Sequence, residues 1–457
     1  MPGVERGVWG VVVQSLDRPE RLFELNPRTL LVPASSAKLL SAATAIDTVG
    51  WNYRFETILE TNGTIVDGVL QGDLVVVGSG DPSIGGRGGE ALTAWIDSLK
   101  ALGIQGIQGR VVGDDDLLEE PRPAFSWAWD DLATSGALYG ALNFEENRMT
   151  VTITPGVMPG ENAALGVDPI AMDRPLINRV VTRERTAAQL IWSEQRPGEV
   201  ALTIAGTIPV AAAPAKLTVA VGNPTLWFAR ALRYRLIEAG IDVGGAAADV
   251  DDLPVPFDRS AMKVLFTYRS PPLADLIRPL FKDSINLYGE AVFRLNAPRD
   301  MPTNDAAIEH VRQKLATWGL MPDGQQVVDG SGLSRRDVIA PDTLVNILQR
   351  MYDADPAAPW MVALPLAGVD GTLQNRMRAT PAERNVRAKT GSMSNVRSLA
   401  GYVTTRSGEH LAFAIILNNF EGTSAEANQA VDAIAAKLAS FTRTATPADV
   451  RRGAQRK

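Results

Sequence analysis

Three short motifs follow one another along this chain, and their order constrains the fold more than any other feature of the sequence. A Ser-x-x-Lys motif occupies Ser35–Lys38, a Ser-x-Asn motif occupies Ser284–Asn286, and Lys-Thr-Gly occupies Lys389–Gly391. Together they provide a serine nucleophile and two lysines at one site. Because residues 39–283 separate the first motif from the second, a fold that joins all three must close across a long insertion.

Ser-x-x-Lys also occurs at Ser260–Lys263, and the surrounding sequence distinguishes the two copies. Ser35 precedes an Ala/Leu-rich stretch that predicts a helix ending near Gly50. Residues three apart on a helix share a face, so Lys38 can reach the Ser35 hydroxyl. The second copy precedes residues 264–266, which predict a strand, where residues three apart point to opposite faces. We therefore interpret only the first copy as catalytic.

Composition excludes several classes of function. The chain has 457 residues, of which 45% are hydrophobic, and this predicts a soluble globular protein of two to four domains. The formal net charge is -7 and the basic residues form no long cluster, so no nucleic-acid partner is predicted. The chain has no cysteine, which excludes disulfides, thiol catalysis and cysteine-ligated zinc.

The other residue types that carry chemistry are scarce. We interpret the two histidines, His310 and His410, as exposed, so neither a Ser-His-Asp triad nor a histidine metal site is expected. The acidic run Asp114–Asp116 is interpreted as a solvated loop. No metal and no cofactor are predicted. The segment Met1–Gly7 lacks the basic and apolar regions of a signal peptide. No apolar run approaches the ~18 residues of a membrane span, so no transmembrane segment is predicted.

The order of predicted elements indicates an α/β (α+β) multidomain chain. Residues 1–60 and 262–441 are predicted to form one discontinuous catalytic domain. Residues 61–261, rich in short strands and turns, are predicted to be an inserted region of two nested smaller domains, and residues 442–457 a flexible tail. Helices are predicted at Leu273–Lys282, Ser284–Leu295, Ala306–Trp318, Pro341–Asp353 and Ala425–Phe441, strands at Asn385–Lys389, Leu399–Thr405 and Leu411–Asn418, and a loop at Gly156–Arg183.

Without an available histidine, a lysine has to activate the serine. A serine hydroxyl is a weak nucleophile until a neighbour takes its proton, and a lysine can take it only if burial and nearby positive charge lower its pKa. We predict Ser35 as the nucleophile and Lys38 as its base, with Lys389 as the second positive charge. Ser284 is predicted to relay a proton to the leaving group, and Asn286 to hold Lys38 and the substrate amide.

The third motif is predicted to bind substrate. Lys389 and Thr390 are expected to bind a substrate carboxylate, and Gly391 to let the substrate lie close to the strand. The backbone N–H groups of Ser35 and Ser392 are predicted to form an oxyanion hole.

With these motifs the chain resembles the low-molecular-mass class C penicillin-binding proteins, the D-alanyl-D-alanine carboxypeptidase/endopeptidase group (peptidase family S13). The resemblance covers nearly the whole chain, and Ile285 stands where the family frequently has an aspartate. Beyond the three motifs it includes Gly72-Asp73-Leu74, Gly78–Pro82, Gly109–Asp115, Ala141–Phe144, Ser270–Leu273, Asp329–Arg335 and Ser394–Tyr402.

The resemblance implies a β-lactamase/transpeptidase-like domain with a large strand-rich insertion. It also implies a serine D,D-peptidase that cleaves D-Ala-D-Ala in peptidoglycan stem peptides through an acyl-enzyme, with cleavage of peptide cross-links as a second activity. Acylation by β-lactam antibiotics and a periplasmic or other extracytoplasmic location follow from the same likeness. The expected location conflicts with the missing signal peptide, so the sequence is interpreted as a mature or truncated form.

Two alternative functions stay open at this point. One is a β-lactamase or esterase on the same fold, which would need a base for deacylation that the sequence does not display. The other is a non-catalytic cell-wall binding protein, against which the intact motif residues argue. The sequence leaves the oligomeric state undecided.

Overall fold

The structure is a computed structural model that describes residues 2–86, 91–119, 127–128, 136–168, 174–195, 200–320, 322–354 and 359–443. The predicted flexible tail lies outside the described residues from position 444 onward. In the part of the chain that is described, no helix is long and apolar enough to cross a membrane.

The two ends of the chain build one antiparallel sheet, which we call the main sheet. Val8–Ser15 pairs with His410–Asn418 over its whole length, so the first strand of the chain depends on one of the last. The strands of the main sheet lie in the order Arg21–Leu25, Val8–Ser15, His410–Asn418, Val396–Thr404 and Arg387–Met393.

Helices cover both faces of the main sheet, which is why its central strands are buried along nearly their whole length. Ser424–Ala439 packs on one face, and Pro341–Ala354 packs on the other. Ala37–Val49 lies among the helices of the second face and is buried from Ala37 to Ile46. Its neighbours there are Leu273–Lys282, Asn286–Arg294, Asn304–Thr317 and Pro341–Ala354.

The predicted helices of the C-terminal half are present, with their ends shifted by up to two residues. Leu273–Lys282 has the predicted bounds. The next helix begins at Asn286 rather than Ser284, because Ser284 has a φ of 60° and cannot belong to a right-handed helix. The remaining helices are Pro2–Glu5, Ala91–Ala101, Pro224–Glu238 and Pro359–Ala363, with 3₁₀ turns at Ala34–Ser36, Glu145–Asn147, Val250–Asp252, Arg259–Ala261, Pro322–Gly324 and Gly371–Leu373.

The central part of the chain is rich in strands, as predicted. One sheet has the order Ala247–Asp249, Val111–Asp114, Leu74–Val77, Glu56–Thr61 and Lys263–Arg269, and a smaller one has Asp242–Val243, Gly106–Ile107, Val69–Gln71 and Thr64–Val66. Two three-stranded sheets are Ala164–Asp168, Arg148–Thr154 and Ala215–Ala220, and Leu176–Arg183, Leu202–Pro209 and Leu190–Glu194. A short pair joins Gln325–Gln326 to Val338–Ile339.

The loop predicted at Gly156–Arg183 was wrong. It contains the strands Ala164–Asp168 and Leu176–Arg183, whose partners are other segments of the chain. Those partners supply the hydrogen bonds that make these segments strands. The local sequence, rich in Pro, Gly and Asn, does not contain that information and therefore predicts a loop. The strand predicted at Asn385–Lys389 runs instead from Arg387 to Met393.

The connection between the two parts of the chain lies at Phe55 and Ser270. The Phe55 N–H donates to the Ser270 hydroxyl at 2.9 Å, and the Ser270 N–H donates to the Phe55 carbonyl at 3.0 Å. Phe55 packs in the core of the main-sheet helices, whereas Leu59 belongs to the core of the inserted sheets. The division into domains, including two nested units, stays a prediction.

Candidate active site

The turn Ala34–Ser36, which precedes the helix Ala37–Val49, exposes one serine and buries the next. Ala34 has a φ of 46°, so the chain turns sharply there into the 3₁₀ turn Ala34–Ser36. Ser35 is partly exposed, whereas Ser36 is fully buried and its hydroxyl lies 2.7 Å from the Ser398 hydroxyl. Of the two neighbouring hydroxyls, only that of Ser35 is therefore available to a substrate.

Lys38 joins three separate elements of the structure. Its Nζ donates to Ser35 Oγ at 2.9 Å, to Asn286 Oδ1 at 2.8 Å and to the Ser331 carbonyl at 2.7 Å. The side chain is fully buried, and burial lowers the pKa of Lys38 to about 7 although nearby carboxylates raise it. Both the charged and the neutral amine are therefore populated near neutral pH, and the neutral amine can accept the Ser35 proton.

Ser284 and Lys389 form a second hydroxyl–amine pair. Lys389 Nζ donates to Ser284 Oγ at 2.8 Å and to the Thr390 carbonyl at 2.8 Å. Burial, and then the charge of Lys38, lower the pKa of Lys389 well below its ordinary value. The structure thus brings the two lysines into one buried site, as their predicted cooperation requires.

Ile285 and Asn286 divide the second motif between the core and the site. Ile285 is buried in the core of the main-sheet helices, whereas Asn286 begins its helix and faces Lys38. The residue that stands where the family frequently has aspartate is therefore a packing residue in this chain.

The strand Arg387–Met393 is the edge of the main sheet. It runs beside the turn Ala34–Ser36, which we call the nucleophile turn after the role predicted for Ser35. A Cβ atom at Gly391 would lie 2.4 Å from the Pro33 carbonyl oxygen and 2.2 Å from Ser398 Oγ. Only glycine therefore lets the strand approach the turn, a different reason from the predicted approach of substrate. Ser392, the next residue, is exposed.

Sequence reasoning missed two contributors to this site. The Thr372 hydroxyl lies 2.7 Å from the Thr390 hydroxyl, and the Ser331 carbonyl is an acceptor for Lys38. Ser331 belongs to Asp329–Arg335, a segment that resembles the family but for which the sequence predicts no role. Thr372 lies in no motif, and only the folded chain brings it to the edge strand.

The residues set aside on sequence grounds lie elsewhere. His310 and His410 are both exposed, as predicted. Ser260 lies in a 3₁₀ turn, where its hydroxyl donates to Asp258 at 2.6 Å, and Lys263 begins a strand. The second Ser-x-x-Lys copy therefore lacks the geometry of the first.

The solvated loop predicted at Asp114–Asp116 was wrong for its first two residues, because Asp114 ends the strand Val111–Asp114 and both Asp114 and Asp115 are buried. Asp114 and Asp116 form ion pairs with Arg259. Asp115 is buried, and one of its carboxylate oxygens lies within 4.8 Å of oxygens of Asp249 and Asp251. Among the described residues, this trio is the group of acidic side chains close enough to share a cation. It lies on the inserted sheets, apart from the serine and lysine motifs.

The chain matches a family of known proteins over almost its whole length. The D-Ala-D-Ala carboxypeptidase 3 (S13) family model matches residues 1–440. The D-alanyl-D-alanine carboxypeptidase of Actinomadura sp. is 32% identical over 466 residues, covering 98% of this chain and 84% of that protein.

Solved structures share the architecture over almost the full length. Penicillin binding protein 4 (dacB) from Haemophilus influenzae matches with a TM-score of 0.83 and 26% identity, covering 96% of this chain and 97% of that one. The same protein complexed with a novel β-lactam matches with a TM-score of 0.78 and 27% identity, with the same coverage.

We predict that penicillin acylates Ser35 and not Ser36, because Ser36 is buried against Ser398. Intact-protein mass spectrometry should show a single adduct, which Ser35→Ala abolishes. Ser36→Ala is the matched control and should keep the adduct. An adduct that survives in Ser35→Ala and disappears in Ser36→Ala would reverse the assignment.

We predict that Lys38→Arg is acylated about 10²–10⁴-fold more slowly than the wild type. Arginine keeps the charge but does not lose its proton near neutral pH, so the general base is lost. The measurement is the rate of labelling by a fluorescent penicillin under single-turnover conditions. Labelling at the wild-type rate would mean that Lys38 contributes only its charge.

Proposed function

Because this chain belongs to the D-Ala-D-Ala carboxypeptidase 3 (S13) family, we propose that its three motifs form the catalytic centre of a serine peptidase acting on peptidoglycan stem peptides. The chain is a serine-type D-Ala-D-Ala carboxypeptidase, which confirms the family and activity predicted from the sequence. The observation that carries the site assignment is the hydrogen bonding of Lys38 to Ser35 and Asn286.

Acylation begins with Lys38 in its neutral form. Ser35 Oγ attacks the carbonyl carbon of the scissile D-Ala-D-Ala bond while its proton passes to Lys38 Nζ, 2.9 Å away. The backbone N–H groups of Ser35 and Ser392 stabilise the negative oxygen of the tetrahedral intermediate, with roughly 3–4 kcal/mol lost for each donor removed. Asn286 holds both Lys38 and the substrate amide.

The leaving D-Ala takes its proton from Ser284. The Ser284 hydroxyl accepts a hydrogen bond from Lys389, so a proton lost to the amine can be replaced from that lysine. Water then attacks the ester carbonyl and gives its proton through Ser284 to Lys389, which lost one in the first step. Lys38 returns its proton to Ser35 Oγ as the ester breaks, which releases the shortened peptide and restores the serine hydroxyl.

The terminal carboxylate of the substrate binds beside Lys389, Thr390 and Ser392. Burial favours neutral Lys389, and an anion bound nearby would favour its protonated form. The edge position of the strand leaves room for an extended peptide to lie along it, with Gly391 at the nucleophile turn. A β-lactam has a carboxylate and an amide in a comparable arrangement, so it acylates the same serine.

Cleavage of peptide cross-links uses the same acylation step on a D-Ala carbonyl whose leaving amine belongs to a second stem peptide. We place the protein outside the cytoplasm, in the periplasm or an equivalent compartment, because peptidoglycan is there. No cofactor enters any of these steps.

The β-lactamase alternative is separated by turnover of nitrocefin. The leaving D-Ala departs from the site, whereas the amine of an opened β-lactam ring stays bonded to the acyl group and hinders the approach of water. Fast deacylation of a β-lactam would therefore need a further base, and both oxygens of the buried Glu290 already accept backbone N–H groups. We therefore expect one equivalent of nitrocefin to be opened per Ser35 in a burst, followed by slow release. Sustained hydrolysis at the burst rate would favour the lactamase, and failure to label Ser35 would favour a non-catalytic binding protein.

We predict that Lys389→Ala impairs cleavage of a free-acid substrate more than cleavage of its amide. The amide lacks the carboxylate, so it loses only the contribution of Lys389 to Ser284. The measurement is kcat/KM on an acyl-D-Ala-D-Ala peptide and on its C-terminal amide, for the variant and the wild type. Equal losses on both substrates would confine Lys389 to Ser284 and to the electrostatics of Lys38.

A further inference from the structure

Three buried carboxyl groups lie close enough to Lys38 to act on its charge. They are Glu290 on the helix Asn286–Arg294, Asp329, and Asp337. We call residues 329–334 the Asp329 loop. Lys38 donates to one atom of this loop, the Ser331 carbonyl oxygen, and the proposed mechanism gives the carboxyl groups no role.

Asp329 organises the loop that carries its name. Its Oδ1 accepts the N–H groups of Ser331 at 3.1 Å and Gly332 at 2.6 Å, and its Oδ2 accepts that of Ser334 at 2.7 Å. The indole N–H of Trp127 donates to Oδ2 as well, at 2.8 Å. One carboxylate therefore closes the loop backbone on itself with three hydrogen bonds, and a fourth ties it to Trp127.

Glu290 attaches the closed loop to the helix that begins at Asn286. Its two oxygens accept the N–H groups of Gly330 at 3.1 Å and Ser331 at 2.9 Å. The N–H of Ser331 thus donates to both carboxylates, while its carbonyl accepts a hydrogen bond from Lys38 Nζ at 2.7 Å. Any shift of Glu290 would move the acceptor that orients the base.

The loop is also packed tightly against the nucleophile turn and the base. A Cβ atom at Gly332 would lie 2.1 Å from the Ala34 carbonyl oxygen, and one at Gly289 would lie 3.2 Å from Lys38 Cε. The Ser41 hydroxyl donates to the Gly330 carbonyl at 2.9 Å. These contacts leave the loop little freedom relative to Ser35 and Lys38.

The charged groups around Lys38 act in opposite directions. The carboxylates of Asp329, Glu290 and Asp337 raise the pKa of Lys38 against the effect of burial, whereas Lys389 is a second cation. Burial, and then the charge of Asp329, raise the pKa of Glu290 to about 7, and the same causes raise the pKa of Asp337 well above its ordinary value. Glu290 is therefore partly ionised near neutral pH.

We propose that Glu290 and Asp329 are positioning residues that hold the Ser331 carbonyl on Lys38 and favour the protonated base by their charge. This inference rests on the proposed role of Lys38 as the base for Ser35. It adds to the three motifs a fourth contributor, the Asp329 loop with Glu290, which sets both where the base lies and at which pH it becomes active.

The test is the pH profile of acylation by a fluorescent penicillin in Glu290→Gln. The glutamine NH2 would face one of the two backbone N–H groups, so the rate at high pH should fall about 5- to 100-fold, the factor of one lost buried hydrogen bond. Removing the negative charge makes neutral Lys38 more stable. The midpoint of the acid limb should therefore move to lower pH than in the wild type.

Two variants serve as controls. Glu290→Asp keeps the charge but shortens the side chain, so its rate should fall while its midpoint stays at the wild-type pH. Asp337→Asn removes a carboxylate near Lys38 without changing the acceptors of the Gly330 and Ser331 N–H groups, so its rate at high pH should stay within about twofold of the wild type while its midpoint moves in the same direction as that of Glu290→Gln. Thermal unfolding of each variant verifies that it is folded.

A wild-type rate and midpoint in Glu290→Gln would overturn the proposal. An equal loss of rate at every pH, with an unmoved midpoint, would overturn it as well, since a merely structural residue behaves in that way. If Glu290→Gln does not fold, Glu290→Asp decides, and a wild-type rate there contradicts positioning. A wild-type protein that penicillin does not acylate would overturn the proposed function instead, which keeps the two failures distinct.

Discussion

The buried amine of Lys38 is the contact on which the rest of the site depends. A charged amine removed from water is costly unless hydrogen bonds and opposite charges compensate. Here three acceptors surround it, and they come from the nucleophile turn, from Asn286 and from the Ser331 carbonyl. Each acceptor belongs to a different segment of the chain, so satisfying one buried group fixes the relative positions of all three.

The topology makes that arrangement possible despite the long stretch between the first two motifs. The strand Val8–Ser15 pairs with His410–Asn418, so the N-terminal segment that carries Ser35 is attached to the C-terminal sheet. The central region leaves and returns at neighbouring points, where Phe55 and Ser270 exchange hydrogen bonds. The central region can therefore be large without separating Ser35 from the second and third motifs.

The two buried lysines of the site repel each other when both are charged, and a bound substrate anion would reduce that repulsion. Burial opposes the charged form of both Lys38 and Lys389, and the charge of Lys38 adds to the effect on Lys389. The carboxyl groups behind Lys38 compensate one of the two. On the side of Lys389 the compensating charge would come from the substrate carboxylate, which would couple substrate binding to the protonation of the site.

The sequence by itself determined the motifs and the family, whereas the division into domains stays a prediction. Offsets of two or three residues and local helix signals are properties of the chain that need no partner, and this is why Ser35–Lys38 could be separated from Ser260–Lys263. The tertiary structure alone decided the contacts that long-range pairing creates. Glu290 and Thr372 lie in no motif, and the strands within Gly156–Arg183 have partners that local composition does not reveal. Gly391 was assigned to substrate approach, yet it is the Pro33 carbonyl beside it that excludes a side chain. In each case the deciding neighbour is distant along the chain, so its effect exists only once the chain has folded.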